Sequence, residues 1–133
     1  MDLSKLIVPS KTVWSEYPGL PGFEVQLAYL TRDELQEMRE KCTQVKYNKG
    51  REPKEEVDSE LFQKLYIKGV IKDWKGLKYT YLSKLAPVDL SSVEDLENGE
   101  LDFSESNAEL LMKNARGFDD WVTDMLEDVG NFS

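Results

Sequence analysis

The sequence has no histidine and a single cysteine among its 133 residues. The first absence removes the commonest general base at neutral pH and the commonest metal ligand. The lone thiol, Cys42, can neither close an intramolecular disulfide nor build a cysteine-rich zinc site, so nothing in the cysteine usage points to secretion. The glycines are scattered and form no phosphate-cradling loop. Long apolar runs are also missing. Leu6-Ile7-Val8 is closed by Pro9, too short for the core of a signal peptide, and no run approaches the ~20 residues that span a bilayer. Basic residues are in the minority, 17 against 26 acidic, for a net charge of -9. A surface of that sign repels phosphate backbones and anionic membranes, so neither nucleic acid nor a membrane is expected as a partner.

Other candidate chemistry is weak. Lys46, Lys49, Arg51 and Lys54 make a modest basic patch that Glu52, Glu55 and Glu56 largely cancel. Adjacent acids such as Asp119-Asp120 point roughly 100° apart on a helix and do not converge on one cation. Cys42 has no histidine to activate it and reads as a small core residue. The expectation is a protein without catalytic residues, cofactor or metal, held in a reducing cytoplasm and acting through contact with other proteins.

What is present supports a packed core. Hydrophobic residues make up 40% of the chain and recur along nearly its whole length, which disfavours disorder. A single domain of this length buries roughly two thirds of its unfolded surface without disulfides. The expected class is mainly α, a small helical domain with an N-terminal β-hairpin over residues 11–30. Thr12, Val13, Trp14 and Tyr17 lead into Pro18-Gly19-Leu20-Pro21-Gly22, after which Phe23, Val25, Leu27 and Tyr29 alternate with Glu24, Gln26 and Ala28.

Three main helices are expected, over 31–46, 58–75 and 105–129, with an exposed loop over 48–56. Thr31 and Glu34 form a capping box, and Leu35, Met38, Cys42 and Val45 follow as an apolar stripe. Asp58 or Ser59 caps the second helix, which is apolar nearly all round from Leu61 to Trp74 and so reads as central, with Gly76 supplying the left-handed position at its end. Tyr79, Tyr81 and Leu82 fit either a short strand or a helical turn. Ser91 and Glu94 suggest a further capping box, for a short helix ending at Gly99. Ser104 or Ser106 opens the last helical region, which Gly117 is placed to split in two.

In that region Leu111, Ala115, Phe118, Val122, Met125 and Val129 follow the spacing of a helix–helix seam, widened by Trp121 and Leu126. Such a seam serves either the chain's own core or a partner. The candidate protein-contact residues are Phe118, Trp121, Val122 and Met125 on the seam, and Trp14 and Phe23 in the hairpin.

Two stretches carry a resemblance: Ile71-Lys72-Asp73-Trp74-Lys75-Gly76-Leu77, and Asn98-Gly99-Glu100-Leu101-Asp102-Phe103-Ser104-Glu105-Ser106-Asn107 followed by Ala108 to Met112. Their character, order and setting in a chain of this length resemble the tail assembly chaperones of lambda-like and related long-tailed phages, over roughly residues 57–132. Asn98 and Asp102 stand where many such proteins carry Asp and Pro.

The resemblance implies a largely helical protein of the host bacterial cytoplasm. It would self-associate into a spiral or ring, coat the tape-measure protein during tail morphogenesis, and be absent from the finished virion. It also implies a longer frameshifted form that recruits the tail-tube protein. Gly130-Asn131-Phe132 permits codons containing the slippery heptamer A-AAU-UUU at the position such a slip requires. The rival readings are a structural tail-completion or head–tail joining subunit, and an acidic inhibitor that mimics DNA.

Overall fold

The computed structural model describes residues 2–6, 11–47 and 53–132. It is a small mixed α/β domain rather than a mainly helical one. In chain order it contains β1 (Thr12–Glu16), β2 (Glu24–Ala28), α1 (Arg32–Lys41), β3 (Thr43–Tyr47), β4 (Pro53–Val57), α2 (Ser59–Val70), β5 (Ile71–Lys75), α3 (Tyr79–Leu85), α4 (Glu105–Asn114) and α5 (Arg116–Glu127), with short 3₁₀ turns near both ends.

The hairpin forms where the alternation places it. Strands β1 and β2 pair antiparallel from Thr12↔Ala28 to Glu16↔Glu24. Their connection is two turns in tandem: the Leu20 N–H donates to the Tyr17 carbonyl at 3.3 Å, and the Phe23 N–H to the Leu20 carbonyl at 3.1 Å. Each turn has proline second and glycine third, and Gly19 and Gly22 adopt φ of 84° and 85°. These are the residues and dihedrals of type II turns. Phe23, Val25 and Leu27 then face the core, fully buried.

The largest departure from the sequence reading is at residues 71–75. The expected helix over 58–75 stops at Val70, and Ile71–Lys75 turns without a loop into β5, which pairs antiparallel with β2 and completes a sheet of order β1-β2-β5. Ile71 and Trp74 are three residues apart, a helical spacing that would send them to opposite faces of a regular strand. The register resolves this: Gln26 pairs with Asp73 but Leu27 pairs with Ile71, so Lys72 is an extra residue in a β-bulge. Both Ile71 and Trp74 thereby reach the core. Gly76 does take the left-handed conformation, with φ 74°, but it ends a strand, not a helix.

Other boundaries also move. The helix expected over 31–46 ends at Lys41, where the Thr43 hydroxyl donates to the Arg39 carbonyl at 2.9 Å, and the alternating Thr43–Tyr47 becomes β3. Val45 therefore leaves the α1 stripe, while Cys42 is buried at the helix end. Within the expected 48–56 loop, residues 48–52, including Lys49 and Arg51, lie outside the described residues. The exposed strand Pro53–Val57 pairs with β3 as a two-stranded ribbon.

Tyr79–Leu85 is helical, whereas Ser91 and Glu94 start no helix: residues 91–98 are turns, and Asp95 at φ 52° interrupts helical geometry. The last region does divide in two, at Ala115 rather than Gly117. Ala115 is extended and fully buried, and Gly117 lies exposed in the first turn of α5.

Three caps stand as the side chains suggest. Thr31 and Glu34 bond reciprocally at 3.2 and 3.3 Å, Asp58 accepts from the Leu61 N–H at 3.1 Å, and Ser104 accepts from the Asn107 N–H at 3.0 Å. One core joins β2, α2, β5, α4 and α5 through Phe23, Val25, Leu27, Ile67, Val70, Ile71, Trp74, Leu111, Phe118 and Val122.

Candidate protein-contact surfaces

The structure divides the six candidate contact residues. Phe23, Phe118 and Val122 are fully buried inside the chain and offer no surface to a partner. Trp121 and Met125 are half-buried and pack against the same core. Trp14 alone of the six is exposed, at 39%, on the outer face of the sheet.

Aromatic contacts explain the burial. The rings of Phe23 and Phe118 stack at 6.1 Å, and Tyr17 bridges Phe118 at 6.0 Å and Trp121 at 5.1 Å. The tandem turns set Phe23 and Tyr17 beneath α5, so the hairpin and the seam cover each other. The correction concerns Phe23, Phe118 and Val122: their apolar character serves the chain's own core. Of the seam, Leu111, Ala115, Phe118 and Val122 are buried, and only Val129 at its end is widely exposed, at 60%.

Trp14 lies on the other side of the sheet. It faces outward opposite Gln26, and the Lys75 ammonium sits 4.8 Å from its ring centroid. That ammonium also pairs with Glu24 at 3.2 Å. A cation held between an indole face and a carboxylate covers part of the ring and is worth about 0.5–1 kcal/mol at an exposed site.

The two stretches that carry the family resemblance meet in space. Trp74 Nε1 donates to the Leu101 carbonyl at 3.0 Å, and its ring meets Phe103 edge-on at 5.1 Å. The Leu101 N–H donates to the Leu77 carbonyl at 2.8 Å, and the Tyr79 N–H to the Gly99 carbonyl at 3.1 Å. Gly76 approaches the Gly22 backbone so closely that a Cβ there would overlap the Gly22 carbonyl. Tyr81 Oη donates to the Pro21 carbonyl at 2.7 Å, tying α3 to the tandem turns. These motif residues are joints of the fold.

The surface that the sequence reading missed lies on α2. That helix is apolar nearly all round, which reads as a central helix buried on several sides, yet only Ile67 and Val70 are buried. Leu61 is 37% exposed, and Phe62, Leu65 and Tyr66 are half-buried. A groove of about 500 Å³ runs between α2 and α4, with Leu61, Leu65, Ile67, Ile71 and Ala108 beneath and Lys64, Lys68, Glu105 and Glu109 at its rim. The signal in the sequence was the excess of apolar residues over what one helix in a domain this small can cover.

Charges near these surfaces are modestly tuned. A hydrogen bond from Lys113, 2.8 Å away, holds the Glu109 carboxyl below its ordinary range. Burial raises the Tyr66 phenol, and the nearby carboxylates of Asp119 and Glu127 raise it further. Among the described residues no three acidic or cysteine side chains gather in a way that could hold a metal ion, and no helix is long and apolar enough to cross a membrane. No family model, no curated protein and no solved structure matches the chain.

Proposed function

We propose that the chain is a tail assembly chaperone of a long-tailed phage or prophage. It binds the tape-measure protein in the host cytoplasm, self-associates while doing so, and is left out of the finished particle. The observation that carries this reading is the joint between the two resembling stretches. They are 27 residues apart in sequence at the Trp74–Leu101 hydrogen bond, and they pack as one unit.

Two further features fit the role. A carrier of a long, aggregation-prone helical chain needs exposed apolar surface beside strong net charge. The α2–α4 groove and the net charge of -9 supply these. A longer form made by slipping at Gly130-Asn131-Phe132 retains both Asn131 and Phe132. Phe132 is buried 5.6 Å from the Tyr29 ring, so the appended segment would leave from an anchored point.

The test is to seek a long helical tape-measure candidate among the neighbouring genes and to co-express it with this chain. Soluble complex is expected where that protein alone precipitates. Equal insolubility with and without the chain defeats the proposal. Mass spectrometry of finished particles separates it from a structural tail subunit, which would be retained.

A further inference from the structure

A second groove, of about 300 Å³, lies between α1 and α2 and is lined by Arg32, Leu35, Gln36, Arg39 and Phe62. Leu35 and Phe62 are half-buried and form its apolar part, and the two arginines stand exposed beside them. Positions 32, 35, 36 and 39 share one stripe of α1. The Arg39 guanidinium sits 6.0 Å from the centroid of the Phe62 ring, which sets a cation on the apolar surface. Among the described residues neither arginine forms an ion pair. On a chain of net charge -9, two cations therefore flank an apolar groove and no carboxylate answers them. A guanidinium presents its N–H donors as a fork that matches a carboxylate.

Spacing selects the form of the occupant. Seven residues of helix put Arg32 and Arg39 about 10.5 Å apart along the axis of α1. A partner helix lying beside α1 presents side chains at i and i+7 with the same separation and on one face, with i+3 and i+4 between them. An extended strand covers that distance in about three residues, and side chains three apart on a strand leave by opposite faces. A broad polyanion, such as an anionic membrane or a nucleic acid, also meets Asp33 and Glu40, which are exposed roughly 100° round α1 from the neighbouring arginines. A single helix is slender enough to stay on the stripe.

We propose that the α1–α2 groove docks an acidic amphipathic helix of a partner protein. Its carboxylates at i and i+7 meet Arg32 and Arg39, and its aliphatic side chains at i+3 and i+4 cover Leu35 and Phe62. The inference goes beyond the chaperone reading, since it names the chemistry of a docked segment and its test needs no tape-measure protein. Peptide binding at this groove and solubility of a tape-measure protein are separate readouts.

NMR titration of the full chain with a synthetic peptide tests it. The peptide is an alanine–glutamine helix with two glutamates seven residues apart and leucines at the third and fourth positions after the first. Saturable binding tighter than about millimolar is expected, with amide shifts centred on Arg32, Gln36, Arg39 and Phe62. Arg32→Glu with Arg39→Glu should weaken it at least about tenfold, and a peptide with lysines in place of the glutamates should restore binding to that variant. Both arginines are exposed, and circular dichroism verifies that the fold persists. Moving the glutamates to five residues apart keeps the charge and should also weaken binding about tenfold, because the two then leave the common face. Absence of binding by the first peptide overturns the proposal. Equal binding by the five-residue spacing, or by the reversed variant, overturns it too. If phosphatidylserine vesicles hold the wild type but not the reversed variant while the peptide does not bind, the arginines serve a lipid surface and the proposal fails.

Discussion

The indole N–H of Trp74 donates to the carbonyl of Leu101 at 3.0 Å, across 27 residues of chain. It is the point at which the strand following α2 is tied to the segment leading into α4. Trp74→Phe keeps most of the ring and removes the donor, so the Leu101 carbonyl loses its side-chain partner. The expected cost is about 1–2 kcal/mol, read as a lower urea midpoint with an unchanged slope. Trp74→Ala also opens a cavity between Phe23 and Phe103 and should cost about 3–5 kcal/mol. If the phenylalanine variant matches the wild type in stability, the hydrogen bond is not a structural tie.

Two glycines should respond in opposite directions. Gly76 has φ 74° and lies against the Gly22 carbonyl, so Gly76→Ala meets both backbone strain and a clash with main-chain atoms. A loss above about 2 kcal/mol is expected. Gly117 is helical and exposed, and an added Cβ would meet only the Tyr17 hydroxyl at 3.5 Å. Gly117→Ala should stabilise the protein by up to about 1 kcal/mol. Thermal melts of the two variants side by side provide the comparison.

Phe118 and Trp14 separate core from surface. Phe118→Ala removes a fully buried ring and should cost about 3–5 kcal/mol, exposing hydrophobic surface to a dye such as ANS. Trp14→Ala should cost about 1 kcal/mol or less, the scale of its contact with Lys75. Comparable losses at the two sites would mean that the hairpin does not cover α5 as described.

Alkaline pH should weaken the fold through Tyr66. Burial and the neighbouring carboxylates of Asp119 and Glu127 raise its folded pKa above the ordinary value of 10.0, so the folded state holds its proton longer than the unfolded chain does. The resulting stability is complete below that ordinary value and is lost as pH rises from there through the folded pKa. Tyr66→Phe should flatten this alkaline decline, measured by denaturant titration at a series of pH values. An unchanged decline would assign it to another group.

Local chemistry carried the features that the sequence determined by itself. The hairpin follows from alternation and from two Pro-Gly pairs whose glycines relieve the strain of positive φ. The caps at Thr31, Asp58 and Ser104 follow because a side-chain oxygen near the first free N–H groups needs no distant partner. Absence of histidine and the acidic balance are likewise properties of composition alone.

Tertiary structure decided what depends on a distant partner. Ile71 and Trp74 have helical spacing, and only the edge of β2, with the bulge at Lys72, makes that segment a strand. The seam from Leu111 to Val122 could face its own hairpin or another chain, since an apolar side chain is recruited by any water-excluding surface without regard to its source. The tandem turns put Tyr17 and Phe23 against Phe118 and settled that choice for the core. The same non-directional force left the surplus apolar face of α2 uncovered, because a sheet and two flanking helices cannot enclose the full circumference of a third helix at this chain length.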